Sequence, residues 1–224
     1  MISEIRRAKT SRFFSTDIRT AEDGRIYRPN ETSLRLDEAM ELQRLVRDHD
    51  SHNVLELGLA LGASAVAIAE ELELKSEPTR HTVLDPFQDH FRGLGLRELE
   101  LHSLRGRVDF RPVLSEDSSF DLIFHDGSHS VGNKVTDAFF GDRCLREGGV
   151  FAFHDAFLHA TVACVRYLVI ERNYRVISLR PDSPWKRMIR AVRYAPIHGY
   201  WYARHVIPRT CRSLVALKKP QRPN

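Results

Sequence analysis

The chain has 224 residues, 42% hydrophobic and 29% charged. That suffices for one packed α/β domain, is too short for two large ones, and excludes disordered or fibrous classes. The net charge of +4 hides a division: residues 166–224 hold 14 basic and 2 acidic residues, against 20 and 28 in the remainder. Such asymmetry points either to an anionic partner or to a solvated basic surface.

Residues 1–31 are polar, with Phe13-Phe14 and turn signals at Asp23-Gly24 and Pro29-Asn30. They read as an arm or cover. Helical periodicity begins near Leu34 and runs through Leu36, Ala39, Met40, Leu42 and Val46, with Thr32 or Ser33 as the expected cap. Apolar runs then alternate with helical patterns. Strands are expected at 53–57, 81–84, 108–110, 121–124, 149–153 and 174–179, and helices at 63–74, 130–145 and 156–171. This alternation predicts βαβ units and a mostly parallel sheet, with ligands at the carboxyl ends of the strands.

The residues at those ends carry the chemistry. The first strand runs into Glu56-Leu57-Gly58-Leu59-Ala60-Leu61-Gly62-Ala63-Ser64. Gly58 permits a tight turn and close ligand approach, and Gly62 opens a helix whose N–H groups suit a carboxylate or phosphate. The dinucleotide fingerprint fails, because position 60 is Ala. Asp85 ends the second strand at a distance common for acids that bind ribose hydroxyls, with an Asp-Pro turn as the plainer reading. Later strands end in His125-Asp126-Gly127-Ser128-His129 and His154-Asp155. If neighbouring, these tips gather carboxylates and imidazoles suited to a divalent ion. His125, still on its strand, reads as structural.

Three cysteines, Cys144, Cys164 and Cys211, are too widely spaced for a disulfide framework or zinc cluster. They fit a reducing compartment, so a cytoplasmic location is expected, with peripheral membrane association left open. Residues 1–7 lack the apolar core of a signal peptide, and no stretch approaches ~20 apolar residues.

Together these residues resemble the class I S-adenosylmethionine-dependent methyltransferases. The likeness is to small metal-dependent O-methyltransferases of the catechol type and their sugar- and macrolide-modifying relatives. Residues 54–65 resemble the cofactor loop and 81–88 the second motif. Residues 120–129 resemble the IDGxH strand and 145–155 the LxxGGxxxxDD strand. The resemblance implies a Rossmann-like, doubly wound sheet of seven mostly parallel strands, with helices on both faces and a reversed last strand, matched by 213–217.

It also implies roles. Glu56, Gly58 and Gly62 shape the methionine end of the cofactor pocket, Ser64 contacts the carboxylate, and Asp85 binds the ribose. Asp126 and Asp155 match metal ligands for magnesium or another divalent ion, with Asp126 also counted in the cofactor pocket. His154 stands where relatives carry an acid, and as a ligand would suit a transition ion. His129 replaces a lysine as the expected base, with Asp126 beside it in catalysis. The region that holds adenine in such relatives is matched by a short 111–119 segment, which leaves adenine contacts from Ser115 or Glu116 open.

The implied function is methylation of a hydroxyl on a small molecule, sugar or glycan, with anionic and lipid-linked acceptors included. Two alternatives stay open: a degenerate fold acting as a binding scaffold, and an RNA methyltransferase using the basic end. The expected organisation is an arm (1–31), a core (32–180), a basic aromatic insertion (181–212) and a last strand with basic tail (213–224). In the insertion, Trp185, Met188, Ile189 and Val192 recur at helical spacing between Lys186, Arg187, Arg190 and Arg193. A lid or homodimer surface, a membrane surface and a nucleic-acid site compete there, in that order.

Overall fold

The computed structural model describes residues 8–16, 18–29, 33–111, 119–180 and 183–221. The chain forms two compact units, residues 1–118 and 119–224.

The first unit opens with helix α1 (Ala8–Phe14) and a small antiparallel pair, β1 (Arg19–Thr20) and β2 (Ile26–Tyr27). Helix α2 (Leu36–Asp48), strand β3 (Asn53–Leu57), helix α3 (Ala63–Glu73) and strand β4 (Arg80–Leu84) follow. Helix α4 (Leu94–Leu101) and strand β5 (Val108–Arg111) complete it. Strands β3, β4 and β5 pair in parallel, with Val54 opposite His81 and His81 opposite Val108. Val54, Leu55 and every residue of α3 from Ala63 to Leu72 are buried. Each large aliphatic side chain so buried contributes about 1.5–3 kcal/mol.

The second unit runs β6 (Phe120–His125), α5 (Val131–Cys144), β7 (Leu145–Phe153) and α6 (His159–Arg166). Short β8 (Arg175–Val176), α7 (Pro184–His198), α8 (Tyr200–His205) and β9 (Val215–Lys218) follow. Strands β6 and β7 are parallel, whereas β9 runs antiparallel to both β7 and β8. The strand order of the seven-stranded sheet is β5-β4-β3-β6-β7-β9-β8. The mostly parallel α/β sheet and its reversed strand at 215–218 agree with the sequence-based expectation.

Several local expectations are corrected. The polar arm contains a packed helix, because the buried carboxylate of Glu70 accepts the α1 amides of Lys9 at 2.7 Å and Thr10 at 2.9 Å. Helix α2 starts after Arg35, not at Ser33, and Thr32 lies outside the described residues. The Glu38 carboxylate accepts the Arg35 N–H at 2.9 Å, half of a capping box. Helix α6 begins at His159 rather than 156 and passes into a π-turn at Tyr167–Glu171. The strand expected over 174–179 shortens to Arg175–Val176. Helix α4 and helix α8 carried no sequence expectation of their own.

Candidate active site

In the first unit the site is a strained turn between β3 and α3. Gly58, Ala60 and Gly62 all have positive φ, at 96°, 44° and 85°. For Ala60 that conformation costs of order 1 kcal/mol and needs outside support. Asp85 supplies it. Its Oδ2 accepts the backbone N–H groups of Leu59 and Ala60, each at 3.0 Å. Its Oδ1 accepts Phe87 N–H at 2.8 Å, and Gln88 donates to the Ala60 carbonyl at 3.1 Å. The acid expected at the ribose is thus, in this structure, the clamp of the glycine turn.

Gly62 caps α3 and also meets another backbone. A Cβ there would lie 2.9 Å from the Gly95 carbonyl oxygen, and one on Gly95 would lie 2.6 Å from that of Ala60. Two glycines therefore let the end of α4 press against the turn. Gly95 was not legible as a site residue, since no motif contains it.

Beneath the turn lies a fully buried polar chain. Ser64 donates its hydroxyl to Glu56 Oε1, and Glu56 Oε2 meets His81 Nε2 at 2.9 Å. The Ser64 hydroxyl proton is therefore committed to Glu56. The register explains the chain: His81 lies opposite Val54, so Glu56, two residues on, shares its face.

In the second unit the parallel register places His125 opposite Phe153, so Asp126 and His154 emerge together at the strand tips. His154 Nδ1 lies 3.2 Å from Asp126 Oδ1 and 3.5 Å from Asp155 Oδ1. Its Nε2 lies 3.0 Å from the Ser213 hydroxyl. Two carboxylates facing Nδ1 favour a proton there, leaving Nε2 to accept from Ser213. Asp155 sits at φ 57°, a left-handed conformation tolerated by Asp. Burial pushes its pKa up, but the hydrogen bond and charge of His154, with His129 and Lys134, hold it below the usual carboxylate value. His129 Nδ1 approaches Asp155 Oδ2 at 3.5 Å, and its ring is 58% exposed. It stands exposed at the rim of the strand tips.

His125 is fully buried and structural in its contacts. Its ring stacks on Phe153, and Nε2 lies 2.9 Å from Asp137 Oδ2. Burial lowers its pKa more than Asp137 raises it.

Sequence reasoning missed Lys134 and Ser213. Lys134, on α5, is 0% exposed, and its ammonium has no hydrogen-bond partner among the described residues. Asp126 and Asp155 attract its charge, yet burial dominates and lowers its pKa. The only clue in the sequence was its place eight residues beyond Asp126.

Asp126, His154 and Asp155 each offer one ligand atom, all within 4.8 Å of one another. Two carboxylates and an imidazole form a donor set that fits a divalent cation, and the nitrogen favours a transition ion over magnesium. Ser115 and Glu116, whose contact with adenine the sequence left open, lie outside the described residues.

This fold is similar to that of solved O-methyltransferases. Residues 55–156 match the family model described as a methyltransferase domain, and that segment holds both the glycine turn and the His-Asp tips. An O-methyltransferase from Bacillus cereus, solved with SAH, aligns over 97% of this chain and 90% of its own, at 15% identity and a TM-score of 0.58. TomG from Streptomyces achromogenes, an O-methyltransferase involved in tomaymycin synthesis and solved with SAM, aligns over 77% and 87%, at 16% identity and 0.52. Cofactor-bound Rv0187 from MTB aligns over 63% and 69%, at 20% identity and 0.52. No curated protein sequence matches the chain.

Proposed function

We propose that the protein transfers the methyl group of S-adenosylmethionine to a hydroxyl oxygen of a small molecule, sugar or glycan. The observation that carries this reading is the convergence of Asp126, His154 and Asp155 within 4.8 Å, with the exposed His129 beside Asp155.

The chain's own residues divide the work. Gly58 and Gly62 keep the turn free of side chains, so that the cofactor's methionine end could lie close to backbone there. The first amides of α3 lack intrahelical partners and suit its carboxylate. Glu56, through Ser64 and His81, holds the turn from below. Asp85 fixes the turn and, on this reading, also binds the ribose hydroxyls. S-adenosylmethionine supplies the methyl carbon, whose bond to sulfur breaks with its electron pair going to sulfur as the new carbon–oxygen bond forms.

His129 takes the acceptor proton, at Nδ1 or Nε2. Asp155 stabilises the imidazolium that results and keeps the ring at the rim. Asp126 and Asp155 orient the hydroxyl, and Ser213 fixes His154 behind them. A divalent cation held by Asp126, Asp155 and His154 would supply Lewis acidity that eases loss of the acceptor proton.

Calorimetric titration with S-adenosylmethionine tests the cofactor half, with saturable binding expected. Absence of binding at millimolar cofactor defeats the reading. For the acceptor half, transfer of labelled methyl to a panel of catechols, sugars and glycans is measured. Asp126→Ala with Asp155→Ala is expected to lower transfer by about 100-fold or more. Transfer that survives both substitutions and added EDTA removes the acids and the ion from the mechanism.

A further inference from the structure

Helix α7 is turned inside out. At about 100° per residue, Trp185, Met188, Ile189 and Val192 form one stripe, and Arg187, Tyr194 and His198 lie on the other side. The protein holds the polar and aromatic side. Arg187 donates to the Pro208 carbonyl at 3.1 Å, Tyr194 stacks on Phe157 at 4.4 Å, and His198 is buried against His159. The apolar stripe faces solvent: Trp185 is 65% exposed, Met188 49%, Ile189 47% and Val192 70%. A surface helix normally does the reverse, and four large apolar side chains in one exposed row mark an interaction surface.

The helix is firmly set in this orientation. Ser183 caps it by accepting Lys186 N–H, Pro184 starts it, and Gly199 at φ 83° ends it. The stripe is therefore presented by anchored contacts on the opposite side.

Charge decides the partner. Lys186 and Arg193 are exposed at the edge of the stripe. From Ser183 to Gln221 the chain carries nine Lys and Arg and no Asp or Glu. A second copy docked stripe to stripe would bring these cations against their own images. An anionic bilayer instead meets both requirements, receiving the apolar row below the headgroups and the cations among the phosphates. Trp at the boundary suits that interface. No helix among the described residues is long and apolar enough to cross a membrane, so the contact is peripheral.

We propose that the exposed face of α7 docks the protein on an anionic lipid surface. The inference uses no residue of the proposed active site, and it stands or falls apart from methyl transfer.

Sedimentation with vesicles tests it, using phosphatidylcholine alone and equal parts phosphatidylcholine and phosphatidylserine. The full chain is expected to partition to the mixed vesicles and to leave them in high salt. Replacing Trp185, Met188 and Val192 by Ser should reduce partitioning by more than about tenfold. Lys186→Gln with Arg193→Gln should reduce it by on the order of tenfold while leaving the stripe intact. Both variants alter exposed side chains only, and an unchanged thermal unfolding midpoint verifies their folding. No partitioning, equal partitioning to neutral vesicles, or wild-type partitioning of either variant overturns the proposal. So does a dimer in sedimentation equilibrium that the Ser variant abolishes while vesicles bind neither form.

Discussion

At the scale of single residues, Lys134 is the group whose energetics are most exposed to test. A buried ammonium without a hydrogen-bond partner is costly, and the attraction of Asp126 and Asp155 does not outweigh its desolvation. Lys134→Met, of similar length and apolar, is therefore expected to raise stability by about 1–3 kcal/mol, read as denaturant midpoint. Removing that positive charge should also strengthen divalent-cation binding at Asp126, His154 and Asp155 several-fold, measured by manganese titration. A loss of stability would show instead that the ammonium balances the two acids. Lys134 was illegible in the sequence because helical position reveals neither burial depth nor the strand tips beneath it. Asp126, His154 and Asp155 were legible, because a parallel sheet gathers strand ends by topology alone. Asp85 was legible as an acid at a strand end, but its role as clamp was not. That role depends on the left-handed Ala60, which spacing cannot show.

At the scale of elements, the turn after β3 is supported by α4, an element for which the sequence offered no separate signal. The contact passes through Gly62 and Gly95, whose backbones lie too close for a Cβ. Gly95→Ala forces its methyl toward the Ala60 carbonyl, where no flexible side chain can yield. A loss of about 1–3 kcal/mol is expected, with weaker cofactor binding, since the displaced atom belongs to the turn itself. Thermal unfolding and calorimetry read the two effects, and an unchanged cofactor affinity would uncouple α4 from the turn. The same scale explains the arm. Its polar sequence gave no core signal, yet Glu70 on α3 binds the α1 amides, and Gln43 on α2 reaches that carboxylate at 3.0 Å. A buried acid serving three helices is a tertiary fact, invisible to local periodicity. Strands β3, β6 and β7 were legible for the opposite reason: their apolar runs are buried on both faces and do not depend on partners for recognition.

At the scale of the whole molecule, buried titratable groups predict the response to acid. Burial lowers the pKa of His125 and His198, so the folded chain resists protons that the unfolded chain accepts below about pH 6.5. Their contribution is present above that value and declines as pH falls beneath it. Asp155, held below its ordinary value, contributes above about pH 4 and loses that contribution as pH falls through its folded pKa. Both effects weaken the protein on the acid side. The unfolding midpoint is expected to fall steadily from about pH 7 to pH 5, and a flat profile there would contradict the assignment. The clamp at Asp85 has a further consequence of a kinetic kind. Because the strained loop is already assembled by hydrogen bonds within the protein, its ordering accompanies folding rather than ligand capture. The cofactor proposed to bind there would meet a rigid mould. Association should then be a single fast phase without a slow isomerisation, and differences in affinity among cofactor analogues should reside in how quickly they leave.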